Sequence, residues 1–203
     1  MKLVLALPLS LFLARFCQAA DSFDAPPRID FEYKVSLSTG MELALRKYDP
    51  EFQALNAEDF NPLLRKIYPY KVLWFDRTVT GYQTPPVLIG DFNGDANPDV
   101  VLIGHNKTHY KRIVILSEGN SYAVSEFGAS SFFKNPVSPD KKGAGRVEEC
   151  LELIPPSKIK AEPAYNRPEI DLKTDAFKYG GFEGSQSIYY FHEGKFVNYA
   201  LSD

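Results

Sequence analysis

Apolar and polar residues alternate through Ile29-Asp30-Phe31-Glu32-Tyr33-Lys34-Val35-Ser36-Leu37, the period-two signature of a half-buried strand whose inner face is Ile29, Phe31, Tyr33, Val35 and Leu37. Good helix formers follow from Met41 to Tyr48, and Asp49-Pro50 predicts where that helix stops. A second short helix is expected to start near Asn56 or Asp59 and to carry Leu63, Leu64 and Ile67 before Pro69. Strand signals then dominate: Tyr70 to Phe75, Val87-Leu88-Ile89, the unbroken apolar run Val100-Val101-Leu102-Ile103, Tyr110 to Leu116, and Ser121 to Phe127 after a turn at Glu118-Gly119-Asn120. Near the end, Ser187 to Phe191 and Phe196 to Leu201 flank His192-Glu193-Gly194-Lys195, whose glycine suits a tight hairpin turn. Ser138 to Arg146 and the proline-rich Pro155 to Pro168 read as exposed loops. The pattern predicts an α+β fold: mainly an antiparallel β meander, with one or two short N-terminal helices and a C-terminal β-hairpin.

The beginning of the chain changes the expected compartment. Met1-Lys2 is a short basic start, Leu3 to Leu13 is apolar but too short for a bilayer span, and Cys17-Gln18-Ala19 puts small residues at both cleavage-determining positions. Residues 1–19 therefore read as a signal peptide, and residues 20–203 as a single extracytoplasmic domain, periplasmic or secreted. Their removal takes away Lys2 and Arg15 and leaves 21 basic against 26 acidic side chains, a net charge of −5. Nucleic acid is not an expected partner of so acidic a chain, and no later segment has the roughly 20 apolar residues of a membrane span. Only Cys150 remains after cleavage, so no internal disulfide is expected, and burial is the usual fate of such a thiol.

The densest chemistry lies in Asp91-Phe92-Asn93-Gly94-Asp95-Ala96-Asn97-Pro98-Asp99, with oxygen-bearing side chains at places one, three, five and nine of a tight turn. Carboxylates so crowded repel one another, and a hard divalent cation with six to eight oxygen ligands offsets that repulsion. Asn97 would contribute its backbone carbonyl at place seven. The twelfth place is Leu102 rather than the glutamate of an EF-hand, and the residues after the loop are strand-like, so the loop is expected to join two strands.

The stretch Val87 to Gly104 resembles the FG-GAP/VCBS-type repeat of integrin propellers and bacterial surface proteins. That resemblance implies one structural Ca2+ held by Asp91, Asn93, Asp95 and Asp99. It covers 18 of the 203 residues, and the sixth place, usually glycine in such loops, is Ala96. A single copy cannot build a propeller, whose blades need about forty residues each. The alternative is a bare Asx-rich turn, its charge damped by Lys107, Lys111 and Arg112.

Catalytic equipment is not evident. His105 and His109 have the spacing of a helical zinc pair but follow a strand, and they read as surface histidines. Nucleophile elbow, phosphate loop and dinucleotide fingerprint are all missing from the sequence. The C-terminal aromatic residues suit cross-strand packing, with stacking on a sugar ring as the other use of such a cluster. The expectation is a calcium-binding module with a protein or glycan partner. Its rivals are a small hydrolase of cell-wall or extracellular polymers using His105 or His109, and an inhibitor-type partner without chemistry.

Overall fold

Strands supply most of the regular structure in a computed structural model, which describes residues 27–29, 34–56, 59–60, 82–84, 86–107, 109–128, 149–161, 167–181 and 185–201. In chain order these are β1 (Arg28–Ile29), β2 (Val35–Ser36), α1 (Thr39–Tyr48), β3 (Gln53–Ala54), β4 (Tyr82–Thr84), β5 (Val87–Gly90), β6 (Asp99–His105), β7 (Tyr110–Glu118) and β8 (Ser121–Glu126). There follow β9 (Glu149–Ile154), β10 (Lys158–Ile159), β11 (Ile170–Asp171), β12 (Ala176–Gly181), β13 (Gln186–His192) and β14 (Lys195–Ala200). The expected signal peptide, the expected helix around Leu63 to Ile67, the expected strand Tyr70 to Phe75 and the expected loop Ser138 to Arg146 lie outside the described residues.

Two antiparallel sheets carry the architecture. The first runs β4-β5-β6-β7-β8, the expected meander, with β3 added on β6 beyond the end of β5. The second is β14-β13-β12-β9. Between them lies an apolar layer in which Leu88, Val101, Ile103, Val114 and Leu116 of the first sheet meet Leu151, Leu153, Phe177, Tyr179 and Tyr189 of the second. The opposite face of the first sheet, with Val87, Ile89, Val100, Leu102, Ile113 and Ile115, is covered in part by Met41 and Leu45 of α1. Burial on both faces explains why β5, β6 and the Ile113–Leu116 part of β7 are apolar runs rather than alternating ones.

Helix α1 begins two residues before the expected Met41 because Ser38 caps it, its hydroxyl accepting the Met41 N–H at 3.2 Å. Glu42 lies in its first turn and Arg46 and Lys47 in its last, favourable for the helix dipole, and the helix gives way to Asp49-Pro50 as expected. At the C-terminal hairpin, Glu193 and Gly194 both have positive φ, 49° and 79°, the geometry of a two-residue type I′ turn between β13 and β14. Its rings pack inward: Tyr189 stacks on Phe177 at 5.4 Å, and Phe191 meets Phe196 edge-on at 5.4 Å.

Two segments differ from the reading of the sequence. The alternating run Ile29 to Leu37 is not one strand, because Ile29 pairs with Val35 and Arg28 with Ser36 across a chain reversal. Alternation alone does not distinguish one long strand from two short strands that fold back on each other. The segment Pro155 to Pro168 is not wholly a loop either: β10 within it pairs with β11, and Ile159 and Ile170 pack against the outer apolar cluster of the second sheet. Cys150 lies half-buried on β9, opposite Gly180.

Candidate metal centre

The nine-residue loop connects β5 to β6, as its flanking apolar runs require, and Gly90 pairs with Asp99 at its base. Phe92, its second residue, is fully buried and meets Phe177 edge-on at 5.6 Å, anchoring the loop in the layer between the sheets. Residues 94–98 are exposed, Asp91 and Asn93 half-buried, and Asp99 wholly buried.

Within the loop the oxygens are organised by backbone N–H groups. Asp91 Oδ1 accepts from the N–H groups of Gly94 at 2.7 Å and Asp95 at 3.1 Å, and Asp91 Oδ2 accepts from Ala96 at 3.0 Å. Asn93 Oδ1 accepts from Asp95, and Asp95 Oδ1 accepts from Asn97. Asp99 Oδ2 accepts from Phe92 at 2.8 Å and Asn93 at 3.2 Å. Ala96 adopts φ 64°, so the sixth place does require the left-handed conformation for which glycine is suited; alanine there costs about 1 kcal/mol.

Two residues that sequence reasoning missed complete the surroundings. Ser117, on β7, lies with its hydroxyl oxygen 2.8 Å from Asp95 Oδ2 and 3.0 Å from Asp99 Oδ1, so these two carboxylates meet through it. Asp175, just before β12 and almost fully buried, accepts the Asp91 N–H at 2.9 Å through Oδ2, while its own N–H donates to the Asp91 carbonyl at 3.1 Å. Thr174 Oγ1 adds a bond to the Phe92 carbonyl at 2.9 Å. The loop is thus fastened to both sheets. Gly90 makes room for the acid, since a Cβ there would lie 2.8 Å from Asp175 Oδ2. Ser117 ends an apolar run and Asp175 is 84 residues from Asp91, so no local spacing announces either.

Four carboxylates therefore surround one turn, and the damping bases of the bare-turn reading lie elsewhere. Strand β6 separates Asp99 from His105 by roughly 20 Å. Beyond its far end Lys107 pairs with Glu51; on β7, Lys111 opposite Gly104 pairs with Asp49 at 2.8 Å and Glu126 at 3.4 Å, and the guanidinium of Arg112, opposite Ile103, lies over the Tyr179 ring at 4.8 Å. Among the described residues no Lys or Arg forms an ion pair with Asp91, Asp95, Asp99 or Asp175.

Burial pushes the Asp99 carboxyl up to about 6, against the hydrogen bonds from the Ser117 and Phe92 N–H groups, the Ser117 hydroxyl and the Asn93 N–H. Burial also raises Asp175, opposed by the Asp91 N–H and reinforced by the Asp91 charge. Asp95 differs: its slight burial acts upward, but hydrogen bonds led by the Ser117 hydroxyl and the Asn97 N–H hold it below the ordinary range. For Asp99 the folded value lies above the unfolded one, so its stabilising contribution is complete below pH 3.8 and is lost as pH rises through about 6. In chelator, the metal-free protein should lose on the order of 3 kcal/mol from this group between pH 4 and 7. Urea unfolding across that range checks this, with Asp99→Asn, which cannot titrate, expected to remove that part of the pH dependence.

Among the described residues no three His, Cys, Asp or Glu side chains form a group that could hold a metal ion, at the loop or at the histidines. At the loop, Asp91 faces inward on N–H groups while Asp95 and Asp99 meet at Ser117, and the remaining oxygen donors are the Asn93 amide and the Asn97 carbonyl. This donor set, all oxygen and strongly acidic, nevertheless suits a hard cation. His105 is half-buried at the end of β6 with Nδ1 3.2 Å from the Asn106 carbonyl, and His109 is exposed across the turn. No helix among the described residues is long and apolar enough to cross a membrane. Compared with known proteins, the chain matches no family model, no curated protein and no solved structure.

Proposed function

We propose that the chain is an extracytoplasmic calcium-binding module, with one structural Ca2+ at the β5–β6 loop and a protein or glycan as its partner. The observation that carries the cation reading is the gathering of Asp91, Asp95, Asp99 and Asp175 around one turn without a basic side chain paired to any of them among the described residues. Asp91, Asn93, Asp95 and Asp99 would hold the ion with the carbonyl of Asn97, and the ion would supply positive charge where no described Lys or Arg is paired with these carboxylates. Its role on this reading is structural. The loop is hydrogen-bonded to Ser117 in the first sheet and to Thr174 and Asp175 beside the second, so neutralising it stiffens the junction between them.

The compartment expected from residues 1–19 would suit the same reading, because calcium sites of modest affinity fill readily where the free ion is in the millimolar range. Capture experiments test the partner half of the proposal. The immobilised chain, exposed in calcium to native extracellular medium and to purified envelope polysaccharide, should retain one component that chelator releases. Retention that is indifferent to chelator, or none, contradicts a calcium-dependent binding module.

A further inference from the structure

We propose that the outer edge of β14 pairs with β14 of a second copy of this chain, antiparallel across a twofold axis at Asn198, an inference independent of the cation reading. The second sheet runs β14-β13-β12-β9, and among the described residues no strand pairs with the other side of β14. At the opposite edge of that sheet, β9 lies against β4 and β5. The two-residue turn at Glu193-Gly194 makes His192 and Lys195 a hydrogen-bonded pair, and at the far end the Leu201 N–H donates to the Gln186 carbonyl at 2.8 Å. Antiparallel pairs alternate, so Lys195, Val197 and Tyr199 spend their main-chain groups on β13. The N–H and C=O groups of Phe196, Asn198 and Ala200 therefore point out of the edge.

An open edge is normally blunted by proline, a bulge or charge. β14 has no proline, its register with β13 is unbroken from Ala200 opposite Ser187 to Lys195 opposite His192, and its only charged side chain is Lys195 at the turn. Asn198 and Ala200 are exposed, and Phe196 and Val197 are half-buried. The strand also complements itself. With Asn198 on the axis, Asn198 faces the second copy's Asn198 and Phe196 faces the second copy's Ala200, each pair exchanging its main-chain bonds. On the other face Val197 lies opposite the second copy's Tyr199, an aromatic beside a β-branched residue. Lys195 lies opposite the second copy's Leu201, so the two ammonium groups stand at opposite ends of the ribbon. An axis at Phe196 would bring those lysines together, and one at Ala200 would overlap only the last residues of the strand.

Sedimentation equilibrium of the full chain tests this in the wild type, Asn198→Lys and Asn198→Glu. Wild type should dimerise with a dissociation constant of about 10–100 µM, as suits a short interface. Each charged variant sets like charges face to face on the axis and should weaken the dimer by about fivefold or more, while an equimolar mixture of the two should restore it. Asn198 is exposed and gives up a hydrogen bond of 3.3 Å to the Tyr189 hydroxyl, so both variants are expected to fold. Should either fail to fold, amide hydrogen exchange of the wild type reads the same edge. The N–H groups of Phe196, Asn198 and Ala200 should gain protection as concentration rises from about 1 to about 500 µM, while those of Val197 and Tyr199 are protected throughout. A wild type that is monomeric at about 500 µM, its edge amides exchanging freely, overturns the pairing and leaves the edge to a strand of another protein. Dimerisation undiminished in both charged variants, or a mixture that stays monomeric, overturns the axis at Asn198.

Discussion

On the proposed reading, calcium at about a hundred times its dissociation constant is expected to raise the unfolding free energy by about 2.7 kcal/mol, which for a domain of this size would move the melting midpoint upward by roughly 5–10 °C. The effect follows from mass action, since a nine-residue loop hydrogen-bonded to Ser117 of one sheet and to Asp175 beside the other is assembled only in the folded chain. Asp95→Asn is the informative variant. Its amide oxygen still accepts the Asn97 N–H, so the local turn is kept, while the charge that draws the cation is removed. The variant is therefore expected to fold and to lose most of the calcium-induced rise. Asp99→Asn is more damaging, because Asp99 accepts from the N–H groups of Phe92, Asn93 and Ser117, and an amide nitrogen cannot replace either acceptor oxygen. A buried donor left without its acceptor costs about 1–3 kcal/mol even in the absence of metal. Differential scanning fluorimetry in calcium and in chelator reads both variants. A shift retained in full by Asp95→Asn would remove that carboxylate from the ligand set.

Phe177→Ala is expected to cost about 3–5 kcal/mol, the largest effect of any single truncation considered, against a total stability of about 5–15 kcal/mol. Its side chain is fully buried where the two sheets meet, stacked on Tyr189 at 5.4 Å and in contact with Phe127, Phe92 and Phe196 at centroid distances of 4.8, 5.6 and 5.5 Å. Alanine removes the ring and leaves a cavity that neighbours held by strand pairing cannot fill. Phe92 connects this loss to the β5–β6 loop, since it lies between Asp91 and Asn93 and meets the Phe177 ring edge-on. Phe177→Leu, which restores much of the volume, should recover most of the stability. Guanidinium unfolding measures it; a loss below about 1 kcal/mol would contradict the position of Phe177 as the centre of the layer.

Most of the first sheet was legible because its signals are local. The runs Val87 to Ile89, Val100 to Ile103 and Tyr110 to Leu116 become β5, β6 and β7, and the continuous apolar character of the first two comes from α1 on one face and the second sheet on the other, while β-branched residues marked the third. Helix α1 and the turn at Glu193-Gly194 were readable for the same reason, through a stop signal and a glycine respectively. Pairing between distant segments was not. Nothing in the spacing of Glu149 to Ile154 announces β12 as its neighbour, and the β10–β11 ribbon joins residues on either side of a proline-rich stretch. The candidate site divides along the same line. The loop residues were found because their spacing is contained in nine positions, whereas Ser117 and Asp175 reach the loop only through the fold. The supposed damping by Lys107, Lys111 and Arg112 shows the converse error: they are near in sequence, but β6 leads away from the loop, Lys107 and Lys111 pair with Glu51 and Asp49, and Arg112, opposite Ile103, packs on Tyr179.

Long-wavelength anomalous diffraction from crystals grown in calcium addresses the proposed cation site at the β5–β6 loop most directly. One strong peak enclosed by the side-chain oxygens of Asp91, Asn93, Asp95 and Asp99 and the Asn97 carbonyl is expected; water alone among those oxygens would contradict it.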